Sequence, residues 1–142
     1  KVAEARLKAK QMIISSREEL INITMEKVKE KLLELTASRG YTDILQKLVQ
    51  EGGMGLGGGE LEVILSGKGP KTGIDLERTA SHVEKETGRK TSIRLSQEKT
   101  KSIGGVIVGR TDGSVMIDNT FEARIERILR EIRIRLAKLL FK

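Results

Sequence analysis

A single histidine, His82, and no cysteine stand among the 142 residues, so nucleophilic and zinc chemistry have little raw material. A zinc site would have to be built from one imidazole and carboxylates alone. No Gly-x-Ser-x-Gly elbow offers a serine for a hydrolytic triad. His82 falls on the side of its expected helix opposite Leu76, Ala80 and Val83, which is the side left to solvent. A lone imidazole without positioned partners is weak ground for catalysis. The sequence therefore nominates no catalytic residue, no cofactor and no metal ligand, and the expectation is a non-enzymatic chain.

Two glycine-containing stretches could cradle a phosphate. Gly53-x-Gly55-x-x-Gly58 has the spacing of a dinucleotide fingerprint. That motif requires a strand, then the glycine turn, then a helix whose N-terminus meets the pyrophosphate. Here the glycines follow a helical pattern and precede a strand pattern, so the run Gly52 to Gly59 is expected to be a flexible hinge without packing content. Gly67-Lys68-Gly69-Pro70-Lys71-Thr72 contains the Lys-Thr pair of a P-loop. No glycine lies at the required distance before it and Pro70 occupies the loop, so a surface loop is expected.

Charge is the other resource. The chain carries a net charge of +7 with a pI near 9.8, which favours an anionic partner such as nucleic acid, a membrane surface or an acidic protein. From Phe121 to Lys142 seven basic residues face three acids, a surplus of four. Arg127, Arg130 and Arg133 mark the basic face of that segment and are candidates for contact with a large partner. A basic nucleic-acid-binding module is the rival reading. Against it, only Tyr41, Phe121 and Phe141 could stack on bases, and no helix-turn-helix or zinc pattern is present. Acids and bases also pair along the helices, as in Glu4 with Lys8 and, within the basic segment, Glu126 with Arg130 and Glu131 with Arg135. Each such pair stabilises a helix by about 0.2–0.5 kcal/mol, and these are solvated faces, not acid–base dyads.

The elements that must position these residues follow from periodicity. With 37% hydrophobic and 33% charged residues, a small core plus an extended solvated element is expected. Residues 1–39 contain no Pro or Gly and repeat with helical period. Leu7, Ile14, Ile21, Met25, Val28, Leu32 and Leu35 fall within about 40° of one direction. Such a helix is roughly 55–60 Å long, more than a small head covers, so Leu7, Ile14, Ile21, Met25 and Val28 are candidates for contact with a partner helix. In isolation the same stripe could pair with a second copy. Gly40 is expected to stop this helix, and Thr42 to cap a short second one whose face is Ile44, Leu45, Leu48 and Val49. After the glycine run come a strand at Leu61 to Leu65, a helix at Asp75 to Thr87 stopped by Gly88, and a strand through Thr91, Ile93 and Leu95. Ile103 to Val108 and Ser114 to Asp118 then form a hairpin around Thr111-Asp112-Gly113. A helix from Thr120 ends the chain. The expected class is α+β: a stalk helix over 1–39, a short helix and glycine hinge over 40–59, and a head with a four-stranded sheet over 60–142. No apolar run reaches the roughly 18–20 residues of a membrane span. Starting at Lys1 in mid-pattern, the sequence is expected to be a piece of a longer chain.

One segment carries a family likeness. Gly104-Gly105-Val106-Ile107-Val108 is followed by Asp112-Gly113, then by Asp118-Asn119-Thr120-Phe121-Glu122-Ala123-Arg124-Ile125-Glu126. By physics alone, Asn119 with Glu122 three residues on reads as a capping box at a helix start. Together, the Gly104–Gly105 pair, the turn, and Asn119, Thr120, Phe121, Glu122 and Arg124 resemble the E subunit of A-type and V-type rotary ATPases. That resemblance implies a peripheral-stalk subunit of a proton- or sodium-translocating complex, on the cytoplasmic face. It implies that the N-terminal helix pairs with a second helical subunit, called H in archaeal and G in eukaryotic complexes. The head would hold the non-catalytic B subunit of the catalytic headpiece, resisting rotor torque, with no active site, cofactor or specific nucleic acid of its own.

Overall fold

The first helix forms for local reasons. In the computed structural model, which describes residues 1–67 and 73–140, α1 runs from Val2 to Thr36 without interruption and contains no buried residue. Straight-chain helix formers dominate it, and Glu26 pairs with Lys29 one turn on at 3.8 Å. Its end is set by hydroxyls. Thr36 Oγ1 donates to the Leu33 carbonyl and Ser38 Oγ to the Leu35 carbonyl, while the Ala37 and Ser38 amides take up the Glu34 and Leu35 carbonyls in tighter turns. The expectation that Gly40 stops the helix is thereby corrected. Gly40 has φ −76°, right-handed, and instead precedes α2 (Tyr41–Gly55) as its N-cap, with no side-chain cap at all. Thr42, expected to cap, lies inside α2.

The chain divides into two units, Lys1–Leu32 and Leu33–Lys142. The first is the exposed part of α1. The second holds a four-stranded mixed sheet of β1 (Glu60–Ser66), β2 (Ser92–Thr100), β3 (Gly105–Arg110) and β4 (Met116–Thr120), in the order β2-β1-β3-β4. β1 and β2 are parallel and joined across α3 (Leu76–Thr87). β3 runs antiparallel to both β1 and β4. α4 spans Phe121–Leu140. The class is α+β, as the periodicities indicate.

The helix boundaries of α3 follow the sequence signals. The Asp75 carboxylate accepts from the Arg78 amide at 3.0 Å, and Gly88 ends the helix in the left-handed region at φ +72°. The hairpin between β3 and β4 is equally local: the Gly113 amide donates to the Arg110 carbonyl, and the Ser114 amide to Asp112 Oδ1 at 2.9 Å. Hydrogen bonds from the Ser114 hydroxyl and amide hold the Asp112 carboxyl below its ordinary range.

One face of the sheet carries the core. Leu61, Val63 and Leu65 of β1 pair with Arg110, Val108 and Val106 of β3, and their apolar side chains are buried beneath α2 and α3 with Leu45, Leu48, Val49, Ala80 and Val83. The glycine run enters this core, which corrects the expectation of a hinge without packing content. Gly52 and Gly53 belong to α2 and are buried. A Cβ on Gly52 would sit 2.7 Å from Val108 Cγ2, and one on Gly53 would sit 3.1 Å from Val83 Cγ2. The two glycines are flat because the sheet and α3 press against them. Past Gly55 the helix ends but the chain stays packed, with Leu56, Gly58 and Gly59 buried and Gly57, Gly58 and Gly59 at φ +78°, +76° and +103°. The loop expected over Gly67 to Thr72, with its Lys-Thr pair, lies outside the described residues beyond Gly67 itself.

Candidate functional site

The residues that carry the family likeness come together around Tyr41, at the start of α2. The Gly105 amide donates to the Tyr41 hydroxyl at 3.0 Å, in a buried setting. The Phe121 ring meets the Tyr41 ring edge-on, centroids 6.1 Å apart at 63°. Gly104 lies between them and the end of α1. A Cβ there would be 2.7 Å from Phe121 Cε2 and 2.8 Å from both Thr36 Cγ2 and the Tyr41 hydroxyl oxygen. Gly105 has φ +89°, and a Cβ on it would meet the Asn119 carbonyl oxygen at 2.5 Å. The pair of glycines is therefore required by close approach at one position and by conformation at the other. Burial raises the Tyr41 phenol above its ordinary value, partly offset by the bond from Gly105.

The start of α4 differs from the capping box. Thr120, not Asn119, is the cap: its hydroxyl accepts from the Ala123 amide at 3.3 Å and donates to Asp118 Oδ1 at 2.6 Å. Asn119 is withdrawn from this role because its amide donates to the Leu48 carbonyl, at 3.2 Å, and ties β4 to α2. Glu122 does not reach back to Asn119 either. Its two carboxylate oxygens accept from the Ile103 amide at 3.1 and 3.0 Å, anchoring the chain just before β3. Arg124 forms an exposed ion pair with Glu51 at 3.2 Å. Together these residues knot α2, β3, β4 and α4, and the chemistry they perform is structural.

The expected contact residues are placed differently from one another. Leu7 and Ile14 are exposed at 58% and 43% of their surface, whereas Ile21, Met25 and Val28 are half-buried. In α4, Arg127 is exposed but turns its guanidinium back onto the head, donating to the Asp118 carbonyl at 2.9 Å and to Asn119 Oδ1 at 3.3 Å. Arg130 and Arg133 are exposed. His82 is exposed as well. Among the described residues no cluster of His, Asp and Glu could hold a metal ion, and no helix is long and apolar enough to cross a membrane.

Two residues central to the head, Tyr41 and Arg110, escape sequence reasoning as structural anchors. Arg110 donates to the Gly58 and Leu56 carbonyls and so closes the end of α2. Neither residue has a local signal, since both act on partners more than fifty positions away.

Comparison with known proteins agrees with this reading of the motif. The ATP synthase (E/31 kDa) subunit family matches residues 1–141. The E subunit of the A-type ATP synthase of Methanococcus maripaludis strain C7 is 39% identical over 99% of this chain and 70% of its own length. Its counterpart in Methanococcus aeolicus is 40% identical over the same shares, and that in Methanothermobacter thermautotrophicus 32% over 96% and 67%. With the match running through α1 and the whole head alike, the chain belongs to the ATP synthase E subunit family.

Proposed function

We propose that this chain is a non-catalytic peripheral-stalk subunit of an A-type, proton- or sodium-translocating ATP synthase. It links the catalytic headpiece to the membrane sector on the cytoplasmic side and resists rotor torque. The observation that supports this most is α1. Thirty-five residues of helix, roughly 52 Å in length, have no buried residue, and along the stripe Leu7 and Ile14 stand in solvent while Ile21, Met25 and Val28 are only half-buried. Leaving that much apolar side chain in water is unfavourable, at about 25 cal/mol per Å², and a second helix lying along the stripe removes it. The partner for α1 is the small helical stalk subunit, of H type in an archaeal complex. The head serves the B subunit.

A stator needs stiffness, not turnover. The residues that carry the family likeness are spent on joining α2, the sheet and α4, and this favours a stiffening part over a catalytic one. The test is affinity capture from the native source with this chain as bait, followed by mass spectrometry. Recovery of a small helical subunit and of the B subunit is the expected result. Recovery of nucleic acid alone, released by salt, would overturn the proposal and favour a basic nucleic-acid-binding module.

A further inference from the structure

At the end of the head away from the Tyr41 knot, the loop between α2 and β1 meets the turn between α3 and β2 and the last residue of β3. An open cleft of about 500 Å³ lies there. Two guanidinium groups converge on it. Arg110 Nη1 lies 2.9 Å, Arg89 Cζ 3.3 Å and Arg89 Nε 3.4 Å from the single point that a Cβ on Gly59 would occupy. Gly59 is at φ +103°, and its missing side chain is what leaves room for both. Lys90 lines the same cleft.

Like charges held this close repel unless something of opposite sign sits between them. Among the described residues neither Arg89 nor Arg110 has a carboxylate within ion-pair distance, and the Arg89 guanidinium makes no hydrogen bond. Two carboxylates, Glu60 and Asp112, also line the cleft; Asp112 accepts from the Ser114 amide and feels the charge of Arg110, but neither carboxylate comes within ion-pair distance of a guanidinium. The surrounding backbone is already fixed. The Gly59 amide donates to Thr91 Oγ1 at 3.2 Å, the Ser92 amide to the Gly59 carbonyl at 3.0 Å, and the Thr91 amide to Glu84 Oε1 at 2.9 Å. Arg110 is aimed by its bonds to Leu56 and Gly58, which leave three of its five donors for a ligand.

We infer that Arg89 and Arg110, meeting over Gly59 with Lys90 beside them, form a binding site for a phosphate group. Guanidinium forks match the oxygens of a phosphate bidentately. A phosphate dianion, with three unprotonated oxygens, serves cations arriving from different directions better than a planar, singly charged carboxylate. The source of the group is either inorganic phosphate or the terminal phosphate of a nucleotide.

The test is an NMR titration of the 142-residue chain with inorganic phosphate at a pH near 7.5, above its second pKa of about 7, ionic strength being held constant with sodium chloride. Saturable shifts are expected at the Gly59, Thr91 and Ser92 amides. They should weaken at least tenfold in Arg89→Gln, a substitution that removes no hydrogen bond and so leaves the dispersed spectrum intact. Arg89→Lys should fall between, since it keeps the charge but loses the fork. A parallel titration with ADP separates the sources: tighter binding at the same amides assigns a nucleotide phosphate, equal or weaker binding assigns the free ion. Shifts that chloride reproduces, that lie elsewhere in the chain, or that persist unchanged in Arg89→Gln would overturn the site.

Discussion

The Tyr41 hydroxyl and the Gly105 amide are hydrogen-bonded at 3.0 Å inside the head, joining the first turn of α2 to the first residue of β3. This bond ties together elements far apart in the chain and satisfies both groups. Tyr41→Phe keeps the edge-on ring contact with Phe121 but strands a buried N–H. Such a loss costs about 1–3 kcal/mol, to be read as a lower denaturation midpoint at unchanged m value.

The same phenol sets a pH dependence. Burial raises its folded-state value above the ordinary one, which is about 10. The folded state therefore holds the phenol proton more tightly than the unfolded chain does. The stabilisation is fully present below about pH 10 and is lost as pH rises through the higher folded-state value. Denaturation followed on both sides of about pH 10 should show a steeper alkaline loss of stability for the parent than for Tyr41→Phe.

Gly52 tests whether the glycine run is packed. A Cβ there would fall 2.7 Å from Val108 Cγ2 and 2.9 Å from Val108 Cβ. Gly52→Ala should destabilise the head by about 1–3 kcal/mol through overpacking, although alanine is the better helix former. Val108→Ala alone should also be destabilising, by leaving a cavity. The double variant should lose less than the sum of the two, because each change relieves the other. Additive losses in a double-mutant cycle would show that Gly52 is not pressed against Val108.

How far the fold is legible in the sequence depends on whether a residue's partner is near in the chain. Asp75 and Gly88 bound α3 through contacts within the helix itself, and Asp112 and Gly113 shape a turn that needs nothing else. Those elements can be read directly. Gly52 looks the same in a hinge as in a tightly packed helix, and only Val108 decides between them. Asn119 has the right type and spacing for a cap, yet the Leu48 carbonyl takes its amide and the role passes to Thr120. The family motif is visible as a pattern, while its physical purpose needs Tyr41, which the pattern does not contain.

The reassigned cap is open to mutation. Thr120→Val removes the acceptor for the Ala123 amide and should cost about 0.5–2 kcal/mol, the usual range for a lost N-cap. Asn119→Ala should destabilise through a different bond, the one to Leu48. Urea melts of the two single variants and the double variant separate the cases. If Asn119 were the cap, Thr120→Val would cost little, and the Ala123 amide would keep its protection from hydrogen exchange in that variant.

The stripe on α1 carries the last prediction. Ile14 is 43% exposed and Ile21 half-buried, and no residue of α1 is buried. Changing both to Asp should therefore leave the head folded, with its melting transition nearly unchanged. A coiled-coil seam is much less tolerant, because each apolar knob fills a hole on the partner and a carboxylate there is desolvated without a counter-charge. Pairing with the helical stalk subunit should be lost in Ile14→Asp/Ile21→Asp and retained in Lys8→Glu, whose side chain lies off the stripe. Co-expression and size-exclusion chromatography with the helical subunit read this directly. Retained pairing in the double Asp variant would place the partner on another face of α1, and loss of the head's own transition would show that the stripe serves folding instead.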